Sequence, residues 1–134
     1  MTNIEKSDNE LAEFLDYLHK KGEIKPFLED IYLITLHVAG LFYTENIDLI
    51  FPNLKKGDRL ELFRENDNHY DRLAILVTHK GKKIGYVPRK DNKILANLMD
   101  GGKEIYGVIE SVVEEKIYKN DLFREVKFKV YLKE

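Results

Sequence analysis

The chain has 134 residues, 43% of them hydrophobic, and a formal net charge of −2. This length and hydrophobic content suit one compact domain and exclude a disordered tail, while the small net charge excludes a histone-like polycation. The chain has no cysteine, which excludes disulfides and cysteine-based metal sites. It also shows no signal-peptide pattern and no apolar run of membrane-spanning length, so we expect a soluble, cytoplasmic protein.

Residues 1–30 are predicted to form an acidic helical extension, with eight acidic against four basic residues. Ser7 and Glu10 match a capping box, and Gly22 ends the pattern. Four apolar residues follow the box at helical spacing: Leu11, Phe14, Leu15 and Leu18. Such an apolar stripe must be covered, either by the remainder of this chain or by another protein. We therefore expect a boundary at residue 30, with residues 31–134 forming the main domain.

The main domain is predicted to be mainly β. Alternating or β-branched runs predict six strands, which lie at 32–38, 60–63, 74–78, 84–87, about 103–116 and 122–133. In the first of these, the alternation places Tyr32, Ile34, Leu36 and Val38 on one face. Lys80-Gly81-Lys82 predicts a tight hairpin turn between the third and fourth strands.

Two helical segments interrupt the strands. Residues 45–54 are consistent with a short helix or lid. Residues 91–99 predict a helix after Pro88, ended by Gly101-Gly102. Four residues of this helix have core spacing: Ile94, Leu95, Leu98 and Met99. We predict a small OB-like or SH3-like antiparallel β-barrel with one intervening helix and an N-terminal helix; the missing β-α-β order argues against a Rossmann-type fold.

The stretch 64–93 carries the candidate binding residues. Its polar turn places Asn68, Tyr70 and Asp71 together, and its end brings Tyr86 close to several cations. Between 79 and 93 only Asp91 opposes six bases, which are Lys80, Lys82, Lys83, Arg89, Lys90 and Lys93. Aromatic rings, a carboxylate and clustered cations are the groups that a single-stranded nucleic acid needs from a protein surface.

Each feature of this stretch also has a purely structural interpretation. The lysines could simply keep a hairpin solvated. Tyr70 could plug the barrel mouth and Asp71 could cap a loop. In the functional interpretation, Tyr70 stacks on a base and Asp71 accepts a hydrogen bond from a terminal sugar hydroxyl or a base amine. A carboxylate repels phosphate, so Asp71 would then read strand ends rather than continuous duplex.

Signatures of enzymes are missing. The sequence has no Gly-rich phosphate loop, no His-Glu-x-x-His and no Gly-x-Ser-x-Gly, and its four histidines lack ligand spacing. Glu65, Asp67 and Asp71 could hold a magnesium ion for phosphodiester cleavage, or they could cap backbone amides in a turn. We therefore expect a non-catalytic protein without a cofactor or metal, and keep a metal-dependent nuclease as an alternative.

Several linked motifs resemble the HIRAN domain family over about residues 31–115. They are VAGLFY at 38–43, Gly57-Asp-x-Leu60, Leu62-x-Arg64-Glu65, Asn68-x-Tyr70-Asp71-x-x-Ala74-Ile75, Ile84-Gly-Tyr-Val-Pro-Arg89 and the helix with Leu95-Ala96. The resemblance implies a modified OB-type barrel. It also implies DNA binding, notably of single-stranded ends with a free 3′-hydroxyl, in DNA repair or restart of stalled replication.

The resemblance also implies roles for individual residues. Tyr43 stacks on a base, Asn68 and Tyr70 clasp the terminal nucleotide, Asp71 meets the 3′-hydroxyl and Arg89 holds a phosphate. Tyr86 stands where the family varies between an aromatic residue and histidine. On charge alone, Lys83 and Lys90 are added as phosphate contacts.

The expected partner is therefore single-stranded DNA or a DNA end, with a helicase or nuclease as a possible protein partner. A second alternative makes the barrel a scaffold, and the acidic N-terminal helix then docks that helicase or nuclease.

Overall fold

A computed structural model describes residues 10–14 and 29–134, in which six strands follow one another along the chain. The strands are β1 (Ile31–His37), β2 (Arg59–Arg64), β3 (Ile75–His79), β4 (Lys82–Tyr86), β5 (Ile105–Tyr118) and β6 (Asp121–Leu132). All pair antiparallel in one sheet with the order β1-β6-β5-β2-β3-β4. This curled, OB-like half-barrel confirms the predicted fold class.

The two ends of the sheet meet at one point. Just beyond β1, the backbone of Ala39 exchanges two hydrogen bonds with Tyr86 of β4, at 2.8 and 2.9 Å. Gly85 permits this approach, because a Cβ there would collide with the carbonyl oxygen of Ala39 and a methyl group of Val38. The residues that close the barrel therefore lie next to the end of β4.

Alternating side chains fill the interior. Val126, Phe128 and Val130 of β6 are fully buried, as are Leu60 of β2 and Ile75 of β3. The β3–β4 connection is a two-residue turn with positive φ at Lys80 and Gly81, which is the type I′ geometry that hairpins favour. The predicted hairpin is confirmed, and the alternation of buried residues along β6 is that of a strand with one buried face.

Short helices fill the connections. Helix α1 (Ile47–Ile50) runs between two 3₁₀ turns, Leu41–Tyr43 and Phe51–Asn53. Helix α2 (Asn92–Asp100) follows the 3₁₀ turn Arg89–Asp91, for which Pro88 is the N-cap. Residues 10–14 are helical and exposed, whereas the remainder of the predicted N-terminal helix, with Ser7 and Gly22, lies outside the described residues.

The predicted inner face of α2 is wrong in part. Ile94 is exposed, while Asn92, Leu95 and Ala96 are buried and Met99 packs against the core. The buried stripe thus runs through 92, 95, 96 and 99 instead of 94, 95, 98 and 99. Both stripes have helical spacing, so the apolar pattern alone could not distinguish them, and a polar residue occupies the inner face.

The predicted face of β1 is also wrong at its start. Tyr32 is more than half exposed, and the register with β6 shifts between Tyr32 and Ile34. Leu33 and Ile34, which are neighbours in sequence, both pack against the core. An irregularity of this kind interrupts the two-residue period, and Tyr32 consequently turns to the outer face. In the described part of the chain, no helix is long and apolar enough to cross a membrane.

Candidate nucleic-acid interface

A groove of about 380 Å³ opens where β4 ends and the barrel closes. Its walls come from the backbone at 39–40, the polar turn after β2, and the segment that leaves β4. Five of the eight predicted site residues line it, namely Asn68, Tyr70, Asp71, Tyr86 and Arg89. The closure of the sheet therefore places residues from separate parts of the chain around one opening.

Asn68 builds the turn that faces the groove. Its Oδ1 accepts the backbone N–H groups of Tyr70 and Asp71 at 2.8 and 3.0 Å, and its Nδ2 donates to Glu65 Oε1 at 2.8 Å. These bonds are the Asx-type contacts that asparagine favours in turns. The predicted contact of Asn68 with a nucleotide stays a prediction, and its observed role is to orient the two residues that follow.

Tyr70 projects from this turn into solvent. Its side chain is 88% exposed, although its backbone is held by Asn68. The structural interpretation of Tyr70 as a plug of the barrel mouth is therefore wrong. An aromatic ring whose backbone is held in place and whose faces are exposed to solvent can stack on a nucleotide base.

Asp71 joins the turn to helix α2. Its Oδ1 accepts the backbone N–H of Leu73 at 2.9 Å, and its Oδ2 accepts Asn92 Nδ2 at 2.7 Å. Arg89 Nε lies 3.9 Å from the same Oδ2. The carboxylate thus caps the loop, as the structural interpretation holds. An ionised carboxylate has about four acceptor positions, so these contacts leave it able to accept a further bond from a ligand in the groove.

Glu65 connects the turn to β4. Its Oε1 accepts the Tyr86 hydroxyl at 2.8 Å in addition to the amide of Asn68. Lys83 Nζ donates to the Tyr86 hydroxyl at 3.1 Å and lies 4.6 Å from the ring centroid. Glu65 thereby fixes both walls of the groove. From the sequence alone, Glu65 was predicted only as a turn cap or a metal ligand.

Arg64 and Asn92 support the groove, although the sequence did not predict this role for either residue. The Arg64 guanidinium donates to the carbonyl oxygens of Arg72 and Ala74 at 2.9 and 2.7 Å, and it pairs with Asp100 at 2.9 Å. No sequence signal identified Asn92, because the apolar pattern of the helix also fits the stripe 94, 95, 98 and 99, which does not include it.

Three predicted residues, Tyr43, Lys83 and Lys90, lie outside the groove lining, although Lys83 contacts the wall residue Tyr86. Tyr43 is 88% exposed in the first 3₁₀ turn and packs edge-on against Phe42, with centroids 5.5 Å apart. Lys90 lines separate depressions beside β1 and α2. The cations of residues 79–93 consequently face several directions rather than one, and the predicted contacts of Tyr43 and Lys90 with DNA stay predictions.

The three turn acids do not assemble a metal site. Among residues 10–14 and 29–134, no three His, Cys, Asp or Glu side chains are grouped so that they could hold an ion. Glu65 and Asp71 instead bind neighbouring side chains. The geometry therefore gives no support to the nuclease alternative that used Glu65, Asp67 and Asp71.

Asn92→Ala is expected to lower the free energy of unfolding by about 1–3 kcal/mol, because the partly buried Asp71 carboxylate loses its amide donor. Urea denaturation followed by circular dichroism measures this change. Asn97→Ala is the matched control, since Asn97 is an exposed asparagine of the same helix. Equal destabilisation by the two variants would show that the Asn92 side chain has no special role.

The comparison with known families decides the assignment. The family model of the HIRAN domain matches residues 31–134. The chain belongs to the HIRAN domain family. Membership of this family supports a DNA-binding module. No curated protein matches the chain.

Two solved structures resemble this HIRAN domain. A crystal structure of a protein from Lactobacillus plantarum is 28% identical, with a TM-score of 0.66, and the match covers 78% of this chain and 95% of that one. The crystal structure of the HIRAN domain of human HLTF is 24% identical, with a TM-score of 0.54, and covers 78% of this chain and 81% of that one. At 24% identity, the likeness to the HLTF domain shows the fold alone.

Proposed function

We propose that this HIRAN domain binds single-stranded DNA without catalysis and holds a free 3′ end in the groove. The observation that carries the proposal is the position of Tyr70, whose exposed ring stands beside the partly buried carboxylate of Asp71 in a groove that also contains Arg89. A stacking ring, an acceptor and a cation are together the complement of a terminal nucleotide, which presents a base, a hydroxyl and a phosphate.

The charges of the groove favour a hydroxyl end over a phosphate end. The carboxylate of Asp71 only accepts hydrogen bonds, and a terminal hydroxyl can donate one to it. A 3′-phosphate would bring about −1.5 to −2 charges against the same carboxylate. Arg89, which lies 3.9 Å from Asp71, is placed to contact the phosphate that precedes the terminal sugar.

The remaining predicted residues extend the contact surface. Tyr43 would stack on a base outside the groove, Tyr86 would line its wall, and Lys83 and Lys90 would neutralise phosphates. Free 3′ ends arise in DNA repair and at stalled replication, and we place the binding activity in those processes. A helicase or nuclease would be the natural protein partner there.

Fluorescence anisotropy with a labelled strand of about ten nucleotides tests whether the protein distinguishes a 3′-hydroxyl from a 3′-phosphate. The strand should bind on the order of tenfold more tightly with a 3′-hydroxyl than with a 3′-phosphate, because the phosphate is repelled by Asp71. Asp71→Asn should abolish this preference, since it removes the charge but keeps an oxygen that can cap Leu73. Asp91→Asn, which makes the same charge change in the turn before α2, should leave it intact.

Two outcomes would contradict the proposal. If the unmodified protein bound the 3′-hydroxyl and 3′-phosphate strands with equal affinity, it would bind single strands without recognising their 3′ end. No binding of either strand at low salt would remove the DNA-end function. That result would favour the alternative in which the N-terminal helix docks a helicase or nuclease. Most of that helix lies outside the described residues.

A further inference from the structure

We propose that the bound strand leaves the groove along β4 and places its backbone phosphates in a second, lysine-lined cavity at the β3–β4 hairpin. This inference rests on the proposed function and extends it from the terminal nucleotide to the nucleotides that precede it. The cavity, called here the lysine cavity, has a volume of about 320 Å³ and is lined by Lys55, Lys80 and Lys82, among others.

The lysines of this cavity are available for an anion. Within residues 10–14 and 29–134, none of the three forms an ion pair, whereas Lys129 and Lys133 approach carboxylates on the sheet. A lysine ammonium is a compact charge with three donors on a flexible stem, so three lysines around one cavity can contact a phosphate backbone without contacting its bases.

The acid in the cavity wall is already engaged. Asp58 Oδ2 lies 2.8 Å from Nε2 of the buried His79 and accepts the backbone N–H of Lys55 at 3.2 Å. The hydrogen bond from His79 is the main reason why the pKa of Asp58 lies below its usual value. Asp58 therefore keeps its negative charge, which interacts mainly with His79 and less strongly with Lys80, and the three lysines outnumber this one acid.

A row of cations connects the lysine cavity to the groove. Lys82 also lines the adjacent depression, together with Lys83 and one acid, Glu45. Lys83 donates to the hydroxyl of Tyr86, and Tyr86 is part of the groove wall. The first two residues of β4, Lys82 and Lys83, thus place positive charge between the hairpin and the groove wall at Tyr86.

The distances along β4 suit a short run of nucleotides. From Lys82 to Tyr86 the strand rises by about 13 Å, at ~3.3 Å per residue. Each nucleotide of a single strand spans about 3.4 Å or more, the value for a strand of duplex DNA, so this rise corresponds to at most about four nucleotides. A dinucleotide has a single step beyond the terminal nucleotide and should therefore occupy only the groove, whereas a strand of roughly ten nucleotides should also reach the lysine cavity.

The experiment compares these two strand lengths, both ending in a 3′-hydroxyl, by fluorescence anisotropy over a range of salt concentrations. In the triple variant Lys55→Gln/Lys80→Gln/Lys82→Gln, affinity for the long strand should fall on the order of tenfold. The slope of log K against log salt should flatten by about 2, at ~0.7 per lost phosphate contact. Affinity for the short strand should not change.

A matched triple variant controls for net charge. Lys103→Gln/Lys116→Gln/Lys119→Gln removes the same charge at exposed lysines away from β4 and should change neither affinity. Circular dichroism verifies that both triple variants fold, which exposed lysine substitutions should permit. Equal losses from the two triple variants would overturn the proposed path, since only the total charge would then matter.

Failure of this inference is distinguishable from failure of the proposed function. If the unmodified protein binds both strands and the lysine-cavity variant changes neither affinity, the lysine cavity is not used and the groove remains the binding site. If the unmodified protein binds neither strand, the proposed function and this inference fail together.

Discussion

Phe128→Ala is expected to lower the free energy of unfolding by about 3–5 kcal/mol, the usual cost of removing a fully buried phenylalanine ring. Phe128 lies on β6 between Leu36 of β1 and Ile109 of β5, and none of its surface is exposed. Its ring packs so closely over Gly107 that a Cβ on that glycine would lie 2.8 Å from the Phe128 Cδ2 atom. Rigid strands on both sides leave little room for the cavity to collapse.

This loss is a large fraction of the roughly 5–15 kcal/mol that stabilises a typical domain. Urea denaturation monitored by circular dichroism gives the free energy of unfolding, and Phe63→Ala is the matched control. Phe63 lies on β2 but is 53% exposed, so its removal should cost less than about 1 kcal/mol. Similar costs for the two variants would mean that Phe128 is not at the centre of the core.

Tyr70→Ala is expected to weaken single-strand binding by about 1–3 kcal/mol, which corresponds to a loss of roughly fivefold to 150-fold. The reason is the loss of one base–aromatic stack in the groove. The exposed ring contributes little to stability, so the unfolding transition should hardly move. Anisotropy measures the affinity, and denaturation verifies the fold.

Tyr118→Ala provides the matched control for Tyr70→Ala. Tyr118 is an exposed tyrosine at the end of β5, where it belongs to the distal end of the β5–β6 hairpin. Its removal should leave DNA affinity unchanged. If Tyr70→Ala retained full affinity in a folded protein, stacking at Tyr70 would be ruled out as the basis of binding.

Local sequence patterns predicted most of the strands and turns because their causes are local. Alternation of Val126, Phe128 and Val130 with polar residues requires β structure with one buried face. Lys80-Gly81 suits a two-residue turn because glycine accepts positive φ without strain. The same patterns failed at Tyr32 and Ile94, where a register shift and a choice between two helical stripes depend on the partner surface.

The groove itself was predictable only in part. The motif resemblance selected Asn68, Tyr70, Asp71, Tyr86 and Arg89, and the structure brings these five together. It did not identify Glu65, Arg64 and Asn92 as residues that hold the groove in place, because they bind side chains that are distant in sequence. Asn92, for example, is 2% exposed and binds Asp71 across 21 residues of sequence.

The amino-acid sequence by itself determined the strand-rich architecture, the hairpin turn, the helix after Pro88 and the family of this protein, since each depends on residue type and spacing. Tertiary structure alone decided which side chains share a surface. The pairing of Ala39 with Tyr86 closes the sheet and creates the groove. The folded chain also distributes the cations of residues 79–93 over different surfaces: Arg89 lines the groove, Lys80 and Lys82 line the lysine cavity, and Lys90 lines neither.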